Sequence, residues 1–211
     1  GRLDIPVIVN ADRFKPDESD RRLNVRLTEL YMEYRTGRLS RADFCRQCTP
    51  LISDGLKDDP EREDLRLYQL HVLILEKRNE EAGRLIETMS FMMDREDILP
   101  EIRAYFLYLK SLYASDPILE EALSDEVKNL FKRNRENWRL AWICLFMRDE
   151  YRESERKRDE LIREQFDMGC RSPLLLLEGV HLLIKDPKRM NELGDYELTL
   201  MRFALRWNIT T

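Results

Sequence analysis

The sequence predicts an all-α protein made of antiparallel helical hairpins stacked as an α-solenoid, of the tetratricopeptide-like kind. Three observations lead there. Apolar residues recur at spacings of three and four through most of the 211 residues. Glycine and proline are sparse, at 7 and 8, while Leu, Glu, Arg and Lys, which helices favour, are frequent. Hairpins begin near 20, 60, 98, 137 and 172, a period of about 40 residues that belongs to helical repeats. One hairpin cannot cover its own apolar faces, whereas stacked hairpins bury a continuous core.

Residues 1–16 break the helical pattern. Ile5-Pro6-Val7-Ile8-Val9 is apolar and β-branched, and Lys15-Pro16-Asp17 reads as a turn. An extended segment is expected there, lying across the first hairpin or pairing with a neighbouring domain or chain. A helical-repeat domain of about five hairpins takes 17–211. Leu23, Leu27, Leu30, Tyr31 and Tyr34 mark a helix over 20–36, stopped by Gly37. Ser40 is an N-cap with Asp43 three residues on, and Leu39 and Phe44 sit where a hydrophobic staple belongs, so a helix over 40–56 follows.

Asp59-Pro60, Asp116-Pro117, Ser172-Pro173 and Asp186-Pro187 each place a capping side chain before a proline, whose missing N–H is harmless in a first turn. They start expected helices at 60–78, 117–134, 173–185 and 187–193, the last a short one ending at Gly194. The remaining helices are expected at 80–93, 98–115, 137–150, 154–168 and 195–208. Short links make sequential helices antiparallel. A compact bundle of the same helices is the alternative. The tetratricopeptide consensus itself is not met: Ala82 and Ile86 echo one step of it, and no hairpin has its Trp, Leu-Gly and Tyr pattern.

Composition restricts the function classes. Charged residues make up 36%, hydrophobic residues 43%, and the net charge is −5. The apolar content is too high for disorder, and an acidic balance argues against a general nucleic-acid binder. No apolar run approaches the ~18 residues of a membrane span. No signal peptide is visible, and Gly1 reads as a scar of tag removal, so a piece of a longer protein is expected. Of the four cysteines, Cys45, Cys48 and Cys144 fall on predicted helices among apolar neighbours, and Cys170 does not. Free thiols in the reducing cytoplasm explain them without disulfides.

Catalysis finds little support. There is no Gly-rich phosphate loop, no H-E-x-x-H and no G-x-S-x-G. Cys45-Arg46-Gln47-Cys48 lies inside a predicted helix with no strand before it. It lacks a second pair of zinc ligands, and its cysteines share a helix face with Ile52, so packing explains it. Glu178-Gly179-Val180-His181 is a single Glu-x-x-His, whereas a di-iron bundle needs two such copies and two further glutamates. Glu80-Glu81 and Glu120-Glu121 fall in first helical turns, where the dipole accounts for them. Met89, Met92 and Met93 around Phe91 read as core. The run 152–158 alternates charge and reads as a solvated face. No enzyme, cofactor or metal site is expected.

The segment Phe131-Lys132-Arg133-Asn134-Arg135-Glu136-Asn137-Trp138-Arg139, with Trp142 one turn further, mixes cations and aromatics. Peptide binders use Trp and Arg as anchors, and RNA binders stack bases on them. A basic helix end followed by a tryptophan core stripe is the plainer account. Asn137-Trp138-Arg139-Leu140-Ala141-Trp142 and Gly169-Cys170-Arg171-Ser172-Pro173-Leu174, with Leu177-Glu178 after it, resemble an uncharacterised family of large multidomain proteins from Gram-positive anaerobic bacteria. The resemblance implies a domain of a longer chain, with no assigned activity and no catalytic residues to carry over.

The expected function is a non-enzymatic scaffold or protein-interaction module, by analogy with the partner surfaces of solenoids. The candidate partner-binding residues are Tyr105, Tyr108, Trp138, Arg139 and Trp142, and the partner is a protein or peptide, with other domains of the parent chain among the candidates. A structural spacer or self-association element is the alternative, and an RNA-binding helical repeat a third possibility.

Overall fold

The computed structural model describes residues 18–191 and 194–209, apart from the side chains of 18–21, 187 and 190. Among these residues the chain has eleven α-helices, one 3-10 turn and no strand. They are α1 (Glu18–Arg35), α2 (Arg41–Asp58), α3 (Glu63–Leu75), α4 (Asn79–Met93), α5 (Pro100–Ala114), α6 (Pro117–Arg133) and α7 (Trp138–Met147). There follow α8 (Asp149–Arg152), α9 (Glu155–Asp167), α10 (Pro173–Lys185), the 3-10 turn η1 (Pro187–Asn191) and α11 (Asp195–Arg206). The extended segment expected over 1–16 lies outside the described residues.

The helix ends follow from local chemistry. The Asp43 N–H donates to Ser40 Oγ at 3.1 Å, as the expected N-cap requires. Asp116 Oδ1 accepts from Ile118 N–H at 2.9 Å ahead of α6, and Ser172 Oγ accepts from Leu174 N–H at 3.3 Å ahead of α10. Gly37 closes α1 at φ +76°, with its N–H on Tyr34 O and the Arg38 N–H on Glu33 O. The same double closure recurs at Gly169, and at Lys77 and Asn208, which take it without glycine.

Four expected boundaries are corrected. Asp59-Pro60 does not start a helix. Asp59 ends α2 with its N–H on Gly55 O, and its Oδ1 accepts from Glu61 N–H at 3.2 Å in a short turn before α3. The helix expected over 137–150 breaks at Arg148, whose extended backbone (φ −93°, ψ 123°) ends α7 and heads α8. Asp186-Pro187 opens a 3-10 turn rather than an α-helix. Gly194 does not end that element but caps α11.

The chain divides into two compact units, Gly1–Glu126 and Val127–Thr211, at a point inside α6. In the first unit α2 packs against α1 and α3, α4 against α3 and α5, and α3 beside α5. In the second, α9 packs against α7 and α10, α7 lies beside α10, and α10 holds η1 and α11. First helices α3 and α5, and likewise α7 and α10, thus lie side by side, each pair with a second helix against both. Within each unit this is solenoid-like packing.

Burial follows this order. The first helices α3, α5, α7 and α10 are covered nearly all round, as with Leu140 through Leu145 on α7 and Leu174 through Val180 on α10. The second helices bury one stripe each: Phe44, Cys45, Cys48 and Ile52 on α2, Ala82, Ile86, Met89 and Met93 on α4, and Leu161, Ile162 and Phe166 on α9. Phe91 is the exception in the methionine cluster and points to solvent. Two glycines allow close approach between helices. A Cβ on Gly55 would stand 2.6 Å from Leu65 Cδ1, and one on Gly179 would stand 2.9 Å from both Leu200 Cδ2 and the Tyr196 hydroxyl.

Candidate functional site

The structure separates the five candidate residues. Tyr105 and Tyr108 are buried in the first unit, their rings 6.2 Å apart, and the Tyr105 hydroxyl hydrogen-bonds His71 Nδ1 on α3. Trp142 is fully buried in the second unit, with its ring 4.9 Å from that of Phe146. These three are core residues in the folded chain, which corrects their placement on a partner surface. The cause is that α5 and α7 are first helices covered nearly all round, and Tyr105, Tyr108 and Trp142 fall on their covered sides. Trp138 and Arg139 remain half-exposed at the head of α7.

Their position is set by the loop before them. Asn134 ends α6 by donating from its side chain to Leu130 O at 2.8 Å, and the Asn137 N–H bonds Asn134 O at 3.0 Å. Asn137 Oδ1 then accepts from Arg139 N–H at 3.1 Å and Leu140 N–H at 3.4 Å, an N-cap that fixes where α7 begins. From below, the buried Gln165 of α9 donates Nε2 to Arg135 O at 2.9 Å. Arg135 lies 4.6 Å over the Phe131 ring and pairs with Glu164. On this base the Arg139 guanidinium lies 4.6 Å over the Trp138 ring, a cation–π contact on the surface.

The link between α9 and α10 lies alongside. Burial pushes the Cys170 thiol up, while its hydrogen bond from the Ser172 N–H and the charges of Arg171 and Arg139 pull it down. Both stretches that suggested a family, 137–142 and 169–174, lie in the second unit. Arg171 lies 3.6 Å over the Phe166 ring and donates to Phe166 O at 2.7 Å and Cys170 O at 2.9 Å.

The other motifs are structural in their surroundings. Cys45 and Cys48 are buried on the inner stripe of α2, where desolvation raises their thiols to about 11 and about 12. Cys144 is raised to about 12 for the same reason. Such thiols stay protonated and carry little nucleophile at neutral pH. Among the described residues no group of three or more His, Cys, Asp or Glu side chains comes together as a metal site. Glu178 of the Glu-x-x-His pairs with Arg158 Nη2 at 2.9 Å, the two side chains being 2% and 13% exposed. Arg158 also donates Nη1 to Leu145 O at 3.1 Å, so the run 152–158 is not wholly a solvated face. His181 is half-buried, as an ordinary histidine would be.

A second charged cluster, unforeseen in the sequence, ties α9, η1 and α11 together. Arg163 bonds Glu197 at 2.5 Å, Arg189 bonds Asp159 at 2.9 Å, and the Tyr196 hydroxyl lies 3.3 Å from Asp159. Arg163 also lies 4.3 Å over the Tyr196 ring. Burial works to raise Glu197, but the hydrogen bond and charge of Arg163, with Arg189 beyond, hold its carboxyl below the usual range. Two cations face two anions, an arrangement that secures the last helix.

A family model spans residues 1–211, described as the N-terminal part of a family of unknown function, DUF5717. The chain belongs to that family, and the match covers the whole chain where the resemblance rested on two stretches. No curated protein and no solved structure matches it.

Proposed function

We propose that this member of the DUF5717 N-terminal family is a non-enzymatic protein-interaction or scaffold module that engages a protein or peptide through Trp138 and Arg139. One observation supports this most: a tryptophan ring with a guanidinium over its face, half-exposed on a capped and braced helix start. Trp and Arg are the residue types that most often dominate a binding interface, and a pair already fixed in place loses less entropy on binding. The neighbouring Arg135 is engaged by Glu164 and Phe131, which favours a peptide over an RNA backbone that needs several available cations.

A non-enzymatic role is supported by what the polar groups already do. The thiols are protonated by burial, Glu178 serves Arg158, and Asp159 and Glu197 serve Arg189 and Arg163. The cytoplasm, where free thiols persist, is the compartment this reading expects.

The test is affinity capture from a lysate of the source cell, with the bound proteins identified by mass spectrometry. The wild-type chain is compared with a Trp138→Ala/Arg139→Ala variant whose near-UV circular dichroism and melting point match it. The expected result is a protein held by the wild type and lost by the variant. Equal capture by both would sink the assignment, and capture of RNA that falls steeply with salt would replace it with the nucleic-acid reading.

A further inference from the structure

Helix α11 is apolar on two opposite sides and uses one of them. Tyr196 and Leu200 are buried against α10, close to Gly179, and Phe203 and Trp207 continue the same line with rings 6.3 Å apart. The opposite side presents Leu198, Met201 and Leu205, at i, i+3 and i+7. Leu198 is 38% exposed and Leu205 77%. The other large apolar residues that reach solvent, Val25, Phe91, Tyr113, Ile118 and Met168, fall on five different segments, so among the described residues only α11 gathers two of them on one stripe. Scattered exposed hydrophobics need no explanation, but a helical stripe of them does.

The packing order indicates what covers it. Second helices within each unit lie against two first helices, their own and the next: α2 against α1 and α3, α4 against α3 and α5, α9 against α7 and α10. In that order α11 is the second helix of its hairpin, and among the described residues it has α10 but no following first helix. The matched family model is described as N-terminal, so the family has sequence beyond it. Arg202 and Arg206 are exposed along the edge of the bare stripe and suit an acidic flank.

We propose that Leu198, Met201 and Leu205 seat an amphipathic helix, apolar on one face and acidic at its edge, that follows residue 211 in the same polypeptide and opens the next hairpin. This surface is distinct from Trp138 and Arg139, so either assignment can fail without the other.

Hydrogen exchange tests it, comparing the 211-residue chain with the full polypeptide its gene encodes. The expected result is that α11 amides exchange about tenfold or more slowly in the full polypeptide. Leu205→Asp, a change at an exposed position, should abolish that difference while α7 and α10 keep their protection. Equal exchange of α11 in the two chains overturns the proposal, as does a reading frame that ends at 211. So does a dimer of the 211-residue chain in sedimentation that Leu205→Asp dissociates, because the occupant is then a second copy.

Discussion

Lys77 holds a conformation that its side chain disfavours. Its φ of +59° closes α3 with the Lys77 N–H on Ile74 O and the Arg78 N–H on Leu73 O, the geometry that Gly37 and Gly169 supply elsewhere. Lys77→Gly should therefore stabilise the chain by about 0.5–1 kcal/mol, read as a higher urea midpoint; a lower midpoint would contradict the assignment. Arg158 and Glu178 are the opposite case, a pair that suits its position and depends on both members. Removing one partner of a buried pair costs on the order of 3–5 kcal/mol, because the other charge is left enclosed. A double-mutant cycle on Arg158→Met and Glu178→Leu should show strong coupling, the double variant being far less damaged than the sum of the singles. Additive losses would mean that the contact carries no such weight.

At the scale of elements, much of the chain was legible in its residues. Ser40, Asp116 and Ser172 cap helices as expected because a capping bond closes within one turn and needs no distant partner. Asp59-Pro60 misled because an aspartate before a proline serves an Asx turn as readily as a cap. Arg158 misled because an alternating charge run does not reveal which cation meets a buried carboxylate on another helix. Tyr105, Tyr108 and Trp142 misled because periodicity marks a helix face as apolar without saying whether a neighbour covers it. The cluster of Asp159, Arg163, Arg189 and Glu197 was illegible for the same reason: its members are up to 38 residues apart.

That cluster predicts a pH response of the last helix. The Glu197 carboxyl lies below its ordinary value in the folded chain. Its contribution to stability is therefore present above the ordinary glutamate range and is lost as pH falls below about 4.5. Burial pushes the Tyr196 hydroxyl up, so it stays neutral, and Asp159 faces the same two guanidinium groups as Glu197. The protection factors of the α11 amides, taken against the intrinsic exchange rate at each pH, should fall on acidification from neutral pH to pH ~3.5, and Glu197→Gln should flatten that dependence at the expense of protection at neutral pH. An acid response unchanged in Glu197→Gln would remove this account of how α11 is held.

At the scale of the whole molecule, the interior is given over to the fold. Each unit has its own core, and buried charged groups among the described residues, such as Glu178 with Arg158, hold helices together, so function is assigned to what remains accessible. Two features stand out there: the Trp138–Arg139 pair and the open stripe of α11. The first is the central claim, and the measurement that tests it most directly is the dissociation constant of the captured partner for the wild-type chain and for Trp138→Ala and Arg139→Ala singly, beside their melting points. The account predicts affinity weakened by about tenfold to a hundredfold in each, as for an interface anchor, with melting points unchanged. Undiminished affinity in chains that remain folded would contradict it.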